Sequence, residues 1–174
     1  MSASHPKPCV ILALPRSGTK LTVNALARHS KLPAFKHEFR GSRSEFWEHP
    51  YVLSNFLRPW MCSREIVRIH LRRNDYIAGA ISITTMGFTF PPKSVRLPMA
   101  AIERIAAQRK AVSHEMGVAA DWTVSYEDIT DGGNQIDELP GWFVERFCEL
   151  VGVPAERLPV YDRKDRKIAF AGAA

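Results

Sequence analysis

Cysteine pairs, metal-ligand spacings, long apolar runs and internal repeats are all missing from this 174-residue chain. Its three cysteines, Cys9, Cys62 and Cys148, are odd in number, far apart and without a CxxC. That excludes a disulfide framework and fits reduced thiols in a cytoplasm. Histidines, cysteines and carboxylates nowhere fall at the spacing of a metal site, so no metal is expected. The apolar stretch nearest the N-terminus, Cys9 to Leu14, is too short for a signal-peptide core or a membrane span. Negative charge is the scarcer sign, with 18 acidic against 24 basic residues and a net charge of +6, which favours an anionic ligand. The basic residues are scattered among acids, and the one dense run, Arg163-Lys164-Asp165-Arg166-Lys167, has the form of a solvated tail. A nucleic-acid partner is therefore not expected.

What is present is an ordinary globular composition, 45% hydrophobic and 24% charged, long enough for one domain over 1–174 with its own core. Cys9–Leu14 reads as a buried strand, Glu65–Leu71 as a second and Trp122–Tyr126 as a third. Phe35 to Phe39 fits a short strand or a loop. Ser42 and Glu45 have capping-box form, and helical pieces are expected from there through Tyr51, Val52 and Leu53 to a break at Pro59. Asn74 or Asp75 caps a helix from Tyr76 to about Thr85. Ala100–Met116 and Trp142–Val151 read as further helices, the first with Ile102, Ile105, Ala106, Val112 and Met116 along one side. Gly152 should end the second, and a turn is expected at 131–134. Strands separated by helices predict an α/β fold with a mostly parallel sheet. Ligands of such sheets lie at the carboxyl ends of the strands, so the loop after the first strand and the residues after Leu71 should share one edge.

The first strand runs into Pro15-Arg16-Ser17-Gly18-Thr19-Lys20 and then into an apolar helix. A loop between a strand and a helix N-terminus gathers unpaired N–H groups and the positive end of the helix dipole, which makes an anion cradle. The spacing departs from a Walker loop: with Gly18 as its last glycine, Thr19 stands at the lysine position and Lys20 at the magnesium-ligand position. A lysine there disfavours metal-dependent nucleotide chemistry, and Arg16 brings positive charge into the loop instead.

Pro15-Arg16-Ser17-Gly18-Thr19 resembles the 5′-phosphosulfate loop of sulfotransferases, which use 3′-phosphoadenosine 5′-phosphosulfate (PAPS). After the second strand, Arg72-Arg73 followed by Ser82 resembles the family's 3′-phosphate site, most closely that of bacterial carbohydrate and glycolipid sulfotransferases. Val124-Ser125-Tyr126-Glu127-Asp128-Ile129 is similar to a strand end of the family that is largely scaffold. The resemblance implies a three-layer P-loop-like sandwich. It implies PAPS as co-substrate and PAP as product, held by Arg16, Ser17, Gly18, Thr19 and Lys20 at one phosphate and by Arg72 or Arg73 with Ser82 at the other, with Arg73 preferred. It implies transfer of a sulfuryl group to a hydroxyl of a carbohydrate, glycolipid or other small metabolite, with Arg16 stabilising the transferred charge. A general base is implied after the first helix, where Pro33-Ala34-Phe35-Lys36-His37-Glu38-Phe39 places Glu38 first and His37 second. A kinase-like phosphotransferase, a non-catalytic nucleotide-binding protein on the same scaffold, and association into homo-oligomers stay open at this point.

Overall fold

The computed structural model describes residues 6–19, 22–23, 26, 35–36, 38–85, 98–130, 139–153, 159–162 and 167–170, the last two segments as backbone. Strand β1 (Cys9–Leu12) is buried along its whole length, as a strand covered on both faces must be. Helix α1 (Arg43–Glu48) opens on the Ser42/Glu45 capping box, in which the Glu45 carboxylate accepts from the Ser42 N–H. Strand β2 (Tyr51–Ser54), strand β3 (Val67–Arg72), helix α2 (Tyr76–Thr84), helix α3 (Met99–Ala119) and strand β4 (Trp122–Ser125) follow. Helix α4 (Tyr126–Ile129) is one turn, also closed by a capping box, Ser125 with Asp128. Helix α5 (Gly141–Val151) ends on Gly152 in the left-handed conformation, φ 78°. Strands β5 (Pro159–Asp162) and β6 (Lys167–Phe170) pair antiparallel as a separate ribbon.

The protein is thus of the α/β class, with a four-stranded, wholly parallel central sheet in the order β2-β1-β3-β4. Side chains alternate across it. Cys9, Ile11, Leu53, Ile69, Leu71 and Val124 face one core with Val23, Leu26 and the α5 residues Phe143 and Phe147. Val10, Leu12 and Val52 face the other, with Phe39, Phe46, Met61 and Met116 of α3. The chain leaves β1 towards β2 and leaves β3 in the opposite direction towards β4. Right-handed crossovers running opposite ways put their helices on opposite faces, as seen for the helix after β1 and for α3. The crevice where the direction reverses lies at the carboxyl ends of β1 and β3.

Several expectations need correction. Tyr51–Ser54 is a strand, not the continuation of a helix. Pro50 closes α1, and Tyr51, Val52 and Leu53 gain more from buried pairing with β1 than from one more turn. The segment before α1 rides on this strand: Lys36 bridges Val52, and Phe39 N–H donates to the Leu53 carbonyl at 2.7 Å. On α3, Val112 is exposed, while Arg109 and Ser113 occupy the buried stripe between Ala106 and Met116. Tyr126 begins α4 and does not end β4. Of the charge run at 163–167 only Lys167 is described, and it begins β6. The turn expected at 131–134 lies outside the described residues.

Phe147 is fully buried and stacks at 6.3 Å on Phe35 in the first core. Phe147→Ala should therefore lower the unfolding free energy by about 3–5 kcal/mol in a denaturant titration. A loss below about 1 kcal/mol would mean that α5 does not seal this face of the sheet.

Candidate anion-binding site

At Gly18 the chain passes from strand to helix. Thr22 N–H is the donor that reaches the Gly18 carbonyl, at 3.1 Å, and the Thr22 hydroxyl donates to the same oxygen at 3.1 Å. Thr19 is helical and precedes that bond, so its N–H has no partner within the helix. Arg16 (φ 67°) and Gly18 (φ 74°) are left-handed and Ser17 between them is not. Alternation of this kind turns successive N–H groups into one concave nest for an anion. Gly18 is also forced by space, because a Cβ on it would collide with the Tyr126 ring. Arg16 holds an uncommon conformation for a residue with a side chain, and the cost requires support from elsewhere.

That support comes from two arginines distant in sequence. Arg109, buried in the middle of α3, donates from Nη2 to the Pro15 carbonyl at 2.7 Å. Arg73, just past β3, donates from Nη1 to the Arg16 carbonyl at 3.2 Å. With its carbonyls drawn back to these guanidinium groups, the loop is left to present its N–H groups. Arg16 itself donates from Nε to the Ser82 hydroxyl on α2 at 2.8 Å. Tyr126 lies under this cluster, its ring 5.8 Å from the Arg73 guanidinium, close enough for a cation–π contact. Glu127 holds the turn after Arg73 by accepting from the N–H groups of Asn74 (2.9 Å) and Asp75 (3.2 Å).

Arg16, Gly18, Thr19, Arg73, Ser82 and Glu38 line one open cleft of about 590 Å³ at the β1/β3 crevice, together with Tyr126 and Arg40. Ser17 is buried in the loop. Among the described residues, no carboxylate is ion-paired with Arg16, Arg73 or Arg109. Nε of Arg73 and Nε of Arg109 are buried without a hydrogen-bond partner. Burial first, and then the Arg73 charge beside it, lower the pKa of Arg109. Like charges crowded together with unspent donors are relieved by an incoming anion.

Glu38 stands on the cleft wall in a left-handed conformation, φ 49°, with its carboxylate 3.9 Å from Arg40. Both side chains are well exposed, so this pair contributes little to stability. Arg72 does not join the cleft. Successive residues of a strand point to opposite faces, and Arg72 turns with His70 towards α3, where both line a second hollow. Lys20 and His37 lie outside the described residues. One member of the cluster, Arg109, was missed at the level of sequence. Arg109 carried a signal, since it stands at helical spacing from Ile102, Ala106, Ser113 and Met116, on the stripe that must be buried. Tyr126 was expected only as scaffold, and its place beside Gly18 depends on β4 lying next to β3.

No helix among the described residues is long and apolar enough to cross a membrane. Comparison with protein-family models, with curated proteins and with solved structures finds no match to this chain.

His70 is buried on the α3 side, and burial, then the nearby Arg72 charge, hold its pKa at about 4 against an ordinary 6.5. The folded protein keeps this imidazole neutral where the unfolded chain would protonate it, so its contribution is full above pH 6.5 and is lost as pH falls towards 4. The urea midpoint of the wild type should drop across that window more steeply than that of His70→Gln. Equal slopes in the two proteins would show that another group controls the acid limb.

Proposed function

We propose that the protein is a sulfotransferase that binds PAPS at the β1/β3 crevice and moves its sulfuryl group to an acceptor hydroxyl. One observation carries this reading: Arg16, Arg73 and Ser82, from two separate segments, converge on one cleft, and among the described residues no carboxylate is ion-paired with either arginine. A single phosphate loop needs one basic patch, whereas a nucleotide with phosphate at both 5′ and 3′ needs cations from two segments. The wholly parallel sheet, covered on both faces, supports the finer reading of a P-loop-like three-layer sandwich.

In this reading the backbone N–H groups of Ser17, Gly18 and Thr19, with the Thr19 hydroxyl, hold the 5′-phosphate. Arg16 neutralises the charge that grows on the departing phosphate oxygen, and releases Ser82 to do so. Arg73 and Ser82 serve the 3′-phosphate. Glu38 takes the acceptor's proton as the acceptor oxygen bonds to sulfur and the bond from sulfur to the phosphate oxygen breaks, leaving PAP. Positioning and electrostatics supply most of the acceleration in such transfers. The acceptor would be a carbohydrate, glycolipid or other small hydroxyl compound meeting the cleft beside Glu38 and Arg40. The pairing of Glu38 with Arg40 favours a second reading, in which the same cleft binds the nucleotide without turnover.

PAP should raise the melting temperature and Mg-ATP should not. At a hundredfold excess over its Kd, PAP adds about 2.7 kcal/mol. Stabilisation by Mg-ATP alone would replace the sulfotransferase reading with a kinase-like one. Sulfation of an acceptor panel should fall by about 10²–10³-fold in Arg16→Ala. PAP binding with no sulfated product from any acceptor would leave the non-catalytic reading.

Glu38→Gln should lower kcat by about 10²–10⁴-fold with PAP affinity kept. An unchanged kcat would pass the proton to His37.

A further inference from the structure

Beside α3 and the ends of β3 and β4 lies a second hollow of about 380 Å³. Its wall carries Arg72, Lys110 and His114 and no carboxylate. Among the described residues neither Arg72 nor Lys110 is ion-paired, and both are exposed. Charge of one sign in a concave wall focuses a positive potential there.

The inner wall adds a buried ring nitrogen without a partner, His70 Nδ1. The Tyr76 hydroxyl donates to Ser113 Oγ at 3.3 Å. Ser113 Oγ also meets His70 Nε2 at 3.1 Å, and in one of the two ring tautomers the serine donates its proton to that nitrogen. In that tautomer the neutral ring carries its own proton on Nδ1, and Nδ1 is buried without a hydrogen-bond partner. His70 itself is 1% exposed. A buried N–H left unpaired is costly, so an unused donor of this kind marks a place for an acceptor. Beside it the hollow is kept open by Gly117, where a Cβ would come within 3.2 Å of His70 Nδ1.

We propose that this hollow is a second binding site for a phosphate or sulfate group carried by a small molecule, separate from the β1/β3 cleft. Arg72 and Lys110 supply the charge, and His70 Nδ1–H supplies a neutral, directed hydrogen bond at the inner end. The neighbours Arg72 and Arg73 thus serve two sites, because the alternation of β3 sends them to opposite faces. The inference stands apart from sulfuryl transfer and survives its failure.

The test is the ring-nitrogen NMR signal of His70 in the full chain, titrated with inorganic phosphate and, separately, with glycerol 3-phosphate. Both should shift the Nδ1 resonance saturably, in the wild type and in Arg16→Ala alike. Affinity should weaken about tenfold or more in Arg72→Gln and in Lys110→Gln, the worth of one charge-assisted hydrogen bond. Gly117→Ala should abolish the shift while circular dichroism stays unchanged. Tighter binding of glycerol 3-phosphate assigns the site to an ester, and tighter binding of inorganic phosphate assigns it to the free anion. No saturable shift with either ligand overturns the proposal. So does undiminished affinity in Arg72→Gln and Lys110→Gln, or a response that disappears in Arg16→Ala, which would belong to the first cleft.

Discussion

The site depends on the two guanidinium groups that hold the carbonyl side of the Pro15–Gly18 loop. Arg109 takes the Pro15 carbonyl and Arg73 takes that of Arg16. Arg16 in a left-handed conformation costs on the order of 1 kcal/mol or more, and only contacts that over-determine the turn keep it there. Hydrogen bonds from charged donors are of the size needed, about 1.5–3 kcal/mol each. The arginines come from α3 and from the end of β3, so the turn exists only when both elements are docked. Tyr126 closes the same arrangement from the start of α4 by filling the space beside Gly18.

This bracing also sets the electrostatics. Three arginines share one end of the sheet, and the carboxylates nearest in sequence are engaged elsewhere. Glu127 accepts backbone N–H groups, Asp75 caps α2 and Asp128 caps α4. Contrast Arg68, which is neutralised by Asp121 at 2.7 Å where β3 and β4 begin. Charge is thus paired at the amino ends of these strands and unpaired at their carboxyl ends, where helix N-termini add their own positive field. That difference leaves an uncompensated positive field at the β1/β3 crevice.

The local chemistry was readable from the sequence wherever it depended on neighbours in the chain. The buried run Cys9–Leu12, the capping box of Ser42 and Glu45, Asp75 as the cap of α2, and Gly152 after α5 all follow from short-range rules and stand in the structure. So does the meeting of the first loop with the residues past Leu71 on one sheet edge, since parallel strands in an α/β fold align their carboxyl ends. Tyr51–Ser54 was misread because its gain comes from pairing with β1, some forty residues earlier, and no local pattern carries that.

The sequence by itself therefore determined an α/β protein with a parallel sheet and with Arg16 in the loop after its first strand, because strand burial, helix caps and the Pro-Arg-Ser-Gly-Thr turn are written in adjacent residues. Only the tertiary structure decided which arginines serve the loop. Arg73 joined it and Arg72 left it, because a strand alternates its side chains between faces that become different only after helices cover them. Arg109 and Tyr126 entered because α3 and β4 pack where no spacing along the chain could place them. Contacts of that kind form between surfaces, and surfaces exist only once the chain has folded.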